Sequence, residues 1–447
     1  MSGAPGPRLA AVLAGLARRG LEEAEVYAKR GRSRRLRLDA FTRVSQLDEE
    51  EGWAVRAGTR RRSLFAAGTG VPPPDGPWPE PDGRPIRLPP PDDDAGAGWS
   101  APADFDAPLV GEPEGFELLA AIGRELAGEL AGARLLSATL EDGASESELA
   151  NARGTAARWR GRVAVLRVEA GLGAGAAAGP TAVVELAERE ARRFAPRPLA
   201  RRLADRLTAE AAGPPEGFAG RDRGELVLAP PLAARLLAAL VPLLVGPAAA
   251  DRIAPLRDRR GRVAGEAVTL VDDGRHPGGA LTAPVDGEGM STRRVVLVED
   301  GRFRQPLVAW DEARGREARP AGCRRRAGWR DLPATAPSHL YLVPGEAAPA
   351  GLVAELARGY YLLDATGPPA VDVAAGRFRV PVCGFAVERG RASAPVAGVT
   401  LAGTLQALLH GVQTAARDLA FFPYDGMVGA PTLRVSGLEL RGPSASP

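Results

Sequence analysis

The chain has 447 residues, 45% hydrophobic and 25% charged, with a net charge of +3 and a sequence pI of 9.2. This is an ordinary globular composition, able to bury a sizeable core, and the length predicts about three domains of roughly 150 residues or two larger ones. Two cysteines without a C-x-x-C exclude a disulfide framework, and no apolar run reaches membrane-span length; the nearest, 232–245, contains Arg235 and Pro242.

The basic pI comes from arginine, since Lys29 is the only lysine and Asn151 the only asparagine. That bias belongs to an Ala/Gly/Pro/Arg-rich sequence, so the basic runs at 32–37, 60–62 and 324–326 are read as solvated faces, and nucleic acid is not an expected partner. The N-terminal residues lack the charged-then-apolar plan of a signal peptide, so the expected location is cytoplasmic, with no membrane partner.

Along the chain, Leu9, Val12, Leu13 and Leu16 predict an amphipathic helix over 8–19, ended by Gly20. Strands are predicted at 23–30, 34–46, 52–57 and 63–67; in the second, Leu36 and Leu38 alternate with Arg35 and Arg37. Residues 71–111, rich in Pro, Asp and Gly, read as a long loop or linker, partly mobile. A helix is predicted at 113–131, then strands near 135–140, 147–150 and 164–168, then helical stretches at about 182–194 and 198–212. Gly213-Pro-Pro-Glu-Gly marks a boundary. Beyond it a strand at 225–228 precedes a helix over 231–244, and short strands follow with helices near 349–357 and 403–417.

The expected fold class is α+β: an N-terminal helix with antiparallel strands, and a C-terminal domain of mostly antiparallel sheet with a few helices. The expected organisation is an α+β region at 1–70, the loop or linker at 71–111, and a middle α+β region at 112–215 forming one domain with 1–70. A β-rich domain follows at 223–447.

The densest cluster of polar groups lies between Val271 and Thr292, where Asp272, Asp273, Asp286 and Glu288 share the stretch with five glycines. Asp-Gly is a leading turn dipeptide, so Asp273 and Asp286 read first as hairpin turns; a hard-cation or paired-carboxylate site is the alternative, without the D-x-D-x-D-G order of a calcium loop. The three histidines, His276, His339 and His410, are not spaced as metal ligands, and His276 reads as solvated. Cys323, beside Arg324, Arg325 and Arg326, reads as a surface cysteine whose thiolate those charges would favour; Cys383 reads as a small core residue. Gly171–Ala176 is an Ala/Gly-rich loop and not a dinucleotide site, because no helix starts there. The 231–244 helix, with leucines at 232, 236, 237, 240, 243 and 244, is apolar nearly all round and therefore buried and structural.

Several segments together resemble the TldD/PmbA (TldD/TldE) family, also called modulators of DNA gyrase. They are Ala24-Glu-Val-Tyr, Gly52-Trp-Ala-Val-Arg-Ala-Gly, Val227-Leu-Ala-Pro-Pro, Val271-Asp-Asp-Gly, Asp286-Gly-Glu-Gly-Met-Ser-Thr and Val298-Glu-Asp-Gly. Further along come Leu342-Val-Pro-Gly, Gly384-Phe-Ala-Val-Glu-Arg-Gly, Val399-Thr-Leu-Ala-Gly-Thr-Leu and Ala430-Pro-Thr-Leu-Arg-Val-Ser-Gly. The resemblance implies a two-subunit zinc metallopeptidase whose TldD-type chain carries H-E-x-x-x-H on the helix after the strand opening the C-terminal domain, and a cysteine ligand near the C-terminus. Here the matching helix contains no His or Glu, and Met427-Val-Gly-Ala-Pro-Thr contains no Cys. The sequence also departs from the family at Gly322-Cys-Arg-Arg-Arg-Ala-Gly-Trp and at Thr404, where Asn is usual.

The resemblance therefore implies a noncatalytic TldE/PmbA-type chain without catalytic or metal-binding residues, inactive alone. Its implied partners are a TldD-type catalytic subunit that holds the zinc, and unfolded peptide substrates. The alternative is a stand-alone homodimeric protein that binds peptides or proteins; direct action on gyrase or DNA is a third reading. Asp272, Asp286, Glu288 and Gly289 are the candidates for a loop shaping a substrate cavity.

Overall fold

The computed structural model describes residues 6–94, 96, 99–173, 179–214, 218, 220–315, 318–424 and 426–442; much of the Gly171–Ala176 loop and of the 213–217 boundary lies outside them. The fold is α+β, with mostly antiparallel sheets.

The N-terminal sheet has six strands, β1 (Glu23–Asp39), β2 (Arg43–Gly58), β3 (Ser63–Thr69), β4 (Ala133–Asn151), β5 (Ala156–Leu172) and β6 (Thr181–Glu188), in the order β3-β2-β1-β4-β5-β6. Helix α1 (Pro7–Arg18) starts with proline at its first turn, where no intrahelical donor is needed. It stops at Gly20, whose φ of 74° lets the Leu21 N–H reach back to the Leu16 carbonyl.

Strand alternation sorts the residues of β1. Even positions turn inward: Val26 packs against Leu9, Val12 and Leu16 of α1. Leu36 packs with Leu119, Ile122 and Leu126 of α2 (Glu112–Glu129), in a core shared with Leu199, Leu203 and Leu207 of α3 (Pro196–Glu210). The odd positions Glu25 and Tyr27 therefore face the other side, towards the C-terminal half.

Two expectations about elements of the N-terminal half are corrected. The strands predicted at 23–30 and 34–46 are one continuous strand and the start of the next, and those predicted at 135–140 and 147–150 both lie in the single strand β4; their glycines and charged residues are compatible with long, half-exposed strands. Most of the stretch 182–194 is not helical: Thr181–Glu188 is the strand β6, and only Ala191–Arg193 forms a single 3-10 turn. Val183, Val184 and Leu186 pair with β5, and the β-branched valines favour a strand over the Glu/Arg pairs that suggest a helix. The described residues of 71–111 are mostly irregular and are anchored to the rest of the fold: Trp78, Leu88, Phe105 and Val110 are buried, Asn151 donates to the Pro89 carbonyl, and the Val110 N–H donates to Asp142.

The C-terminal half contains two larger sheets, one of six strands and one of nine. The strand Leu270–Asp273 sits inside the first, antiparallel to Arg294–Glu299 and to His339–Leu342; the strand Glu225–Leu228 sits inside the second, parallel to Arg358–Ala365. Helix α4 (Pro230–Ala239) follows Leu228 and packs against both sheets. Leu232, Leu236 and Leu237 share one core with Leu270, Leu340 and Val428 of the first sheet and with Leu226, Leu362 and Val380 of the second. The predicted 231–244 helix is interrupted at Leu240, because Pro242 cannot donate to the preceding turn, and resumes as the short turn Val241–Leu244.

Because Leu232 is fully buried in this shared core, Leu232→Ala is expected to lower unfolding free energy by about 2–5 kcal/mol, measured by urea denaturation. A change below about 1 kcal/mol would contradict its placement.

Candidate functional site

Glu25 on β1 and Arg56 on β2 are direct cross-strand partners. Arg56 grips Glu25 through two hydrogen bonds of 2.8 Å, Nε to Oε1 and Nη2 to Oε2. The same Nη2 donates at 2.7 Å to Oε1 of Glu288, which belongs to the C-terminal half. Arg326 Nη2 also donates to Glu25, its Nε donates to the Gly287 carbonyl at 3.1 Å, and its guanidinium lies 4.6 Å from the Tyr27 ring centroid. Arg324 lies 3.7 Å from Glu288 and bonds Asp311 at 2.6 Å. Glu25, Arg56 and Glu288 are all buried.

Asp286 organises the turn that delivers Glu288. Its Oδ1 accepts the N–H groups of Glu288 (2.9 Å) and Met290 (3.0 Å), and its Oδ2 accepts the N–H of Arg324 (3.0 Å). Val285 and Ser291 close the turn as a bridge. Gly289 has φ 84°, and a Cβ there would come within 2.6 Å of Thr155 and 3.2 Å of Leu149, so glycine is required both by conformation and by the close approach to the N-terminal sheet. From the 71–111 segment, Asp92 accepts the Ser291 N–H at 2.9 Å. Asp286 is thus a turn residue, as its Asp-Gly sequence predicts, but a buried one.

Burial would raise the Glu25 pKa, yet Arg56 and Arg326 outweigh it and hold the carboxyl below its ordinary value. Glu288 goes the other way. Burial pushes it up to about 7, and the attraction of Arg56 is offset by repulsion from Asp286 and Glu25. One guanidinium serves two carboxylates, and Glu25 holds the better share. Burial also raises Asp286, against its backbone donors.

Asp272 and Asp273 end the buried strand Leu270–Asp273, where Asp272 accepts the Ser338 N–H at 2.8 Å and is pushed by burial to about 6. Asp273 opens a turn, as its Asp-Gly sequence predicts: its Oδ1 accepts the Arg275 N–H at 2.9 Å and its carbonyl the His276 N–H at 3.3 Å. His339 Nε2 accepts the Leu281 N–H at 3.2 Å, so its Nδ1 carries the proton donated to the Asp273 carbonyl at 2.9 Å; burial depresses its pKa to about 3. His276 is half-buried and not solvated, its ring 5.5 Å from that of His339 and 4.9 Å from Phe421. His410 bonds the Leu256 carbonyl.

Cys323 is fully buried, and burial drives its thiol pKa up in spite of Arg325. The surface reading of Cys323 and the solvated reading of 324–326 are both corrected: Arg324 and Arg326 are inside the ion network. Cys383 is a buried strand residue.

Sequence reading missed Glu25, Arg56, Arg324 and Arg326. A signal existed, since Glu25 between Ala24 and Val26, and Arg56 between Val55 and Ala57, are charges inside apolar strands. Such charges are paired when buried.

A family pattern described as the PmbA/TldA metallopeptidase C-terminal domain matches residues 221–442. The chain belongs to the TldD/PmbA family. Among curated relatives, a metalloprotease TldD homologue from Buchnera aphidicola (Schizaphis graminum) is 25% identical over 38% of this chain and 35% of its own length. One from Haemophilus influenzae is 30% identical over 30% of this chain and 28% of its own length. The matches thus span about a third of those proteins. Among solved structures, TldE from Thermococcus kodakarensis superposes with a TM-score of 0.83 at 18% identity, covering 96% of this chain and 99% of that one. A modulator of DNA gyrase from Thermotoga maritima gives 0.80 at 16% identity, covering 96% and 98%. These likenesses establish the shared fold over nearly the full length.

Helix α4 follows the strand Glu225–Leu228 near the start of the C-terminal half. Its side chains do not fit a metal: apart from Arg235 they are hydrocarbon. A cavity of about 40 Å³ beside it is lined by Leu228, Leu237, Val268, Leu342 and Ala430, among other apolar residues; such a space offers no ligand and stays dry. Among the described residues, no three His, Cys, Asp or Glu side chains are grouped as metal ligands would be.

Two outcomes follow for the ion network. Arg56→Met leaves Glu25 and Glu288 buried without their shared cation and is expected to cost about 3–5 kcal/mol in urea unfolding. Because the folded Glu288 pKa of about 7 lies above the ordinary 4.5, the folded state holds this proton more tightly, and stability falls as pH rises from about 4.5 to 7. The limiting slope is about 1.4 kcal/mol per pH unit for one proton. Comparing pH 5 with pH 8, Glu288→Gln should flatten that fall; an unchanged slope would show that Glu288 does not titrate there.

Proposed function

We propose that this chain is a noncatalytic, TldE-like subunit of a TldD/TldE-type zinc metallopeptidase acting on unfolded peptides or small proteins in the cytoplasm. The observation that carries this reading is α4. The chain keeps the C-terminal family pattern and the whole fold, yet its helix at the expected zinc position is a leucine-and-alanine rod with Leu232, Leu236 and Leu237 spent on the core. Zinc needs three or four nitrogen, sulfur or oxygen ligands converging on one point, and hydrocarbon supplies none. The zinc and the water it activates would come from a TldD-type partner.

In that assembly the loop bearing Asp286, Glu288 and Gly289 would fix the angle between the two halves of this chain, and so the shape of any chamber closed against the partner. Asp272 would act similarly, by holding the strand at His339 in place. Extended peptides would be held through sheet-edge main-chain hydrogen bonds, which tolerate varied sequences.

Metal analysis and a peptide-cleavage assay on the purified chain test this reading. Less than a tenth of an equivalent of zinc and no cleavage are expected from the chain alone, with cleavage appearing when a histidine-bearing TldD-type chain is added. Stoichiometric zinc with activity in the isolated chain would overturn it.

A further inference from the structure

A second group of charges, separate from the Arg56 network, lies where α3 meets the C-terminal half. In the strand Arg358–Ala365 the pairing with Arg377–Glu388 shifts register between Leu362 and Asp364, a bulge of the kind that re-aims a side chain. Asp364 there accepts Arg206 Nη1 of α3 at 3.0 Å, and Arg235 Nε of α4 lies 3.6 Å away. Arg206 is held further by Glu210 at 2.8 Å and by the Val183 carbonyl at 2.6 Å. Arg235, the one polar side chain of α4, donates at 3.1 Å to the Tyr424 hydroxyl and lies 4.5 Å from the centroid of that ring. The Tyr424 oxygen is thus an acceptor already, and its proton is left to donate.

Arg202, one turn before Arg206 on α3, is the cation left over. Its guanidinium lies 5.4 Å from the Phe422 ring centroid, but it forms no hydrogen bond or ion pair with any described residue. Its Nη1 is buried without an acceptor, which is costly until something accepts from it. Burial holds its pKa below the ordinary arginine value; Asp364 opposes this only in part, being shared with Arg206 and Arg235. Arg202, Arg235, Tyr361 and Tyr424 are each only partly buried, so the junction is open to solvent.

We propose that this junction is a carboxylate-binding site, with Arg202 as the cation and the Tyr424 and Tyr361 hydroxyls as flanking donors, and that its ligand is the free C-terminus of a peptide. The planar fork of an arginine matches the two oxygens of a carboxylate. The charge of Asp364 reaches Arg202, so it would repel the second charge of a phosphate and favours a singly charged group. The assignment to a peptide rests on the proposed peptide-handling role of the chain; the site for a carboxylate rests on Arg202 and its neighbours alone.

Equilibrium binding of a fluorescently labelled hexapeptide to the full chain, without zinc or partner, tests this. The peptide with a free C-terminal carboxylate should bind about tenfold more tightly than its C-terminal amide, the order expected of one charge-assisted pair. Arg202→Met, which keeps the hydrocarbon bulk over Phe422, should abolish that difference. Tyr361→Phe is the milder change, and should reduce it several-fold with the fold undisturbed. Acetate should displace the peptide acid at lower concentration than inorganic phosphate does. Equal affinity for acid and amide, binding of neither, a difference that survives Arg202→Met, or stronger competition by phosphate would each refute the proposal. No cleavage is read, so these outcomes are distinct from failure of the noncatalytic reading, which zinc content and activity decide.

Discussion

A buried ion network centred on Arg56 joins the two halves of this molecule, beside further contacts such as Arg326 with Glu25 and Arg206 with Asp364. Arg56 is held on the N-terminal sheet by Glu25 and reaches across to Glu288, and none of the three is exposed enough for water to substitute. Burying such charges is costly, and the cost is offset only while every partner is in place. The interaction therefore specifies geometry more than it adds stability. The Asp286 turn, the close seating of Gly289 on Thr155 and the capping of Ser291 by Asp92 all serve to bring one glutamate to one guanidinium.

A different economy governs the centre of the C-terminal half. There α4 lies between two sheets, and each buried leucine contributes roughly 1.5–3 kcal/mol. A helix can hold a metal or fill a core with the same face, but not both, because ligands need lone pairs directed at a common point. This chain uses that helix for packing. The family fold persists because the shared core depends on helix shape and volume, and leucine and alanine supply both.

The large features were legible in the sequence: the class of fold, the opening helix, the buried character of 231–244 and the hydrophobic faces of α2 and α3 all follow from periodicity. The errors came where pattern and environment separate. At 182–194 the Glu/Arg spacing mimics a helix, while sheet pairing with β5 decides the outcome. Residues 71–111 have no periodicity because single anchors such as Trp78 and Leu88 hold them, and single anchors leave no repeating signal. The acidic stretch was legible as a place where something is organised. What it is organised around was not, since Arg56 lies 232 residues from Glu288 and only the folded register brings them together. Arg324 and Arg326 were hidden by an arginine-rich background in which a buried guanidinium reads like any surface one.

Hydrogen exchange at the Asp286 turn bears most directly on this account. If the turn is a clamp between the halves, the amides of Glu288, Met290, Ser291 and Arg324, each donated to a carboxylate, should exchange slowly and at a common rate, and Arg56→Met should speed all four together. Fast exchange of these amides in the unmodified protein would mean a loop open to solvent, and the clamp would not exist.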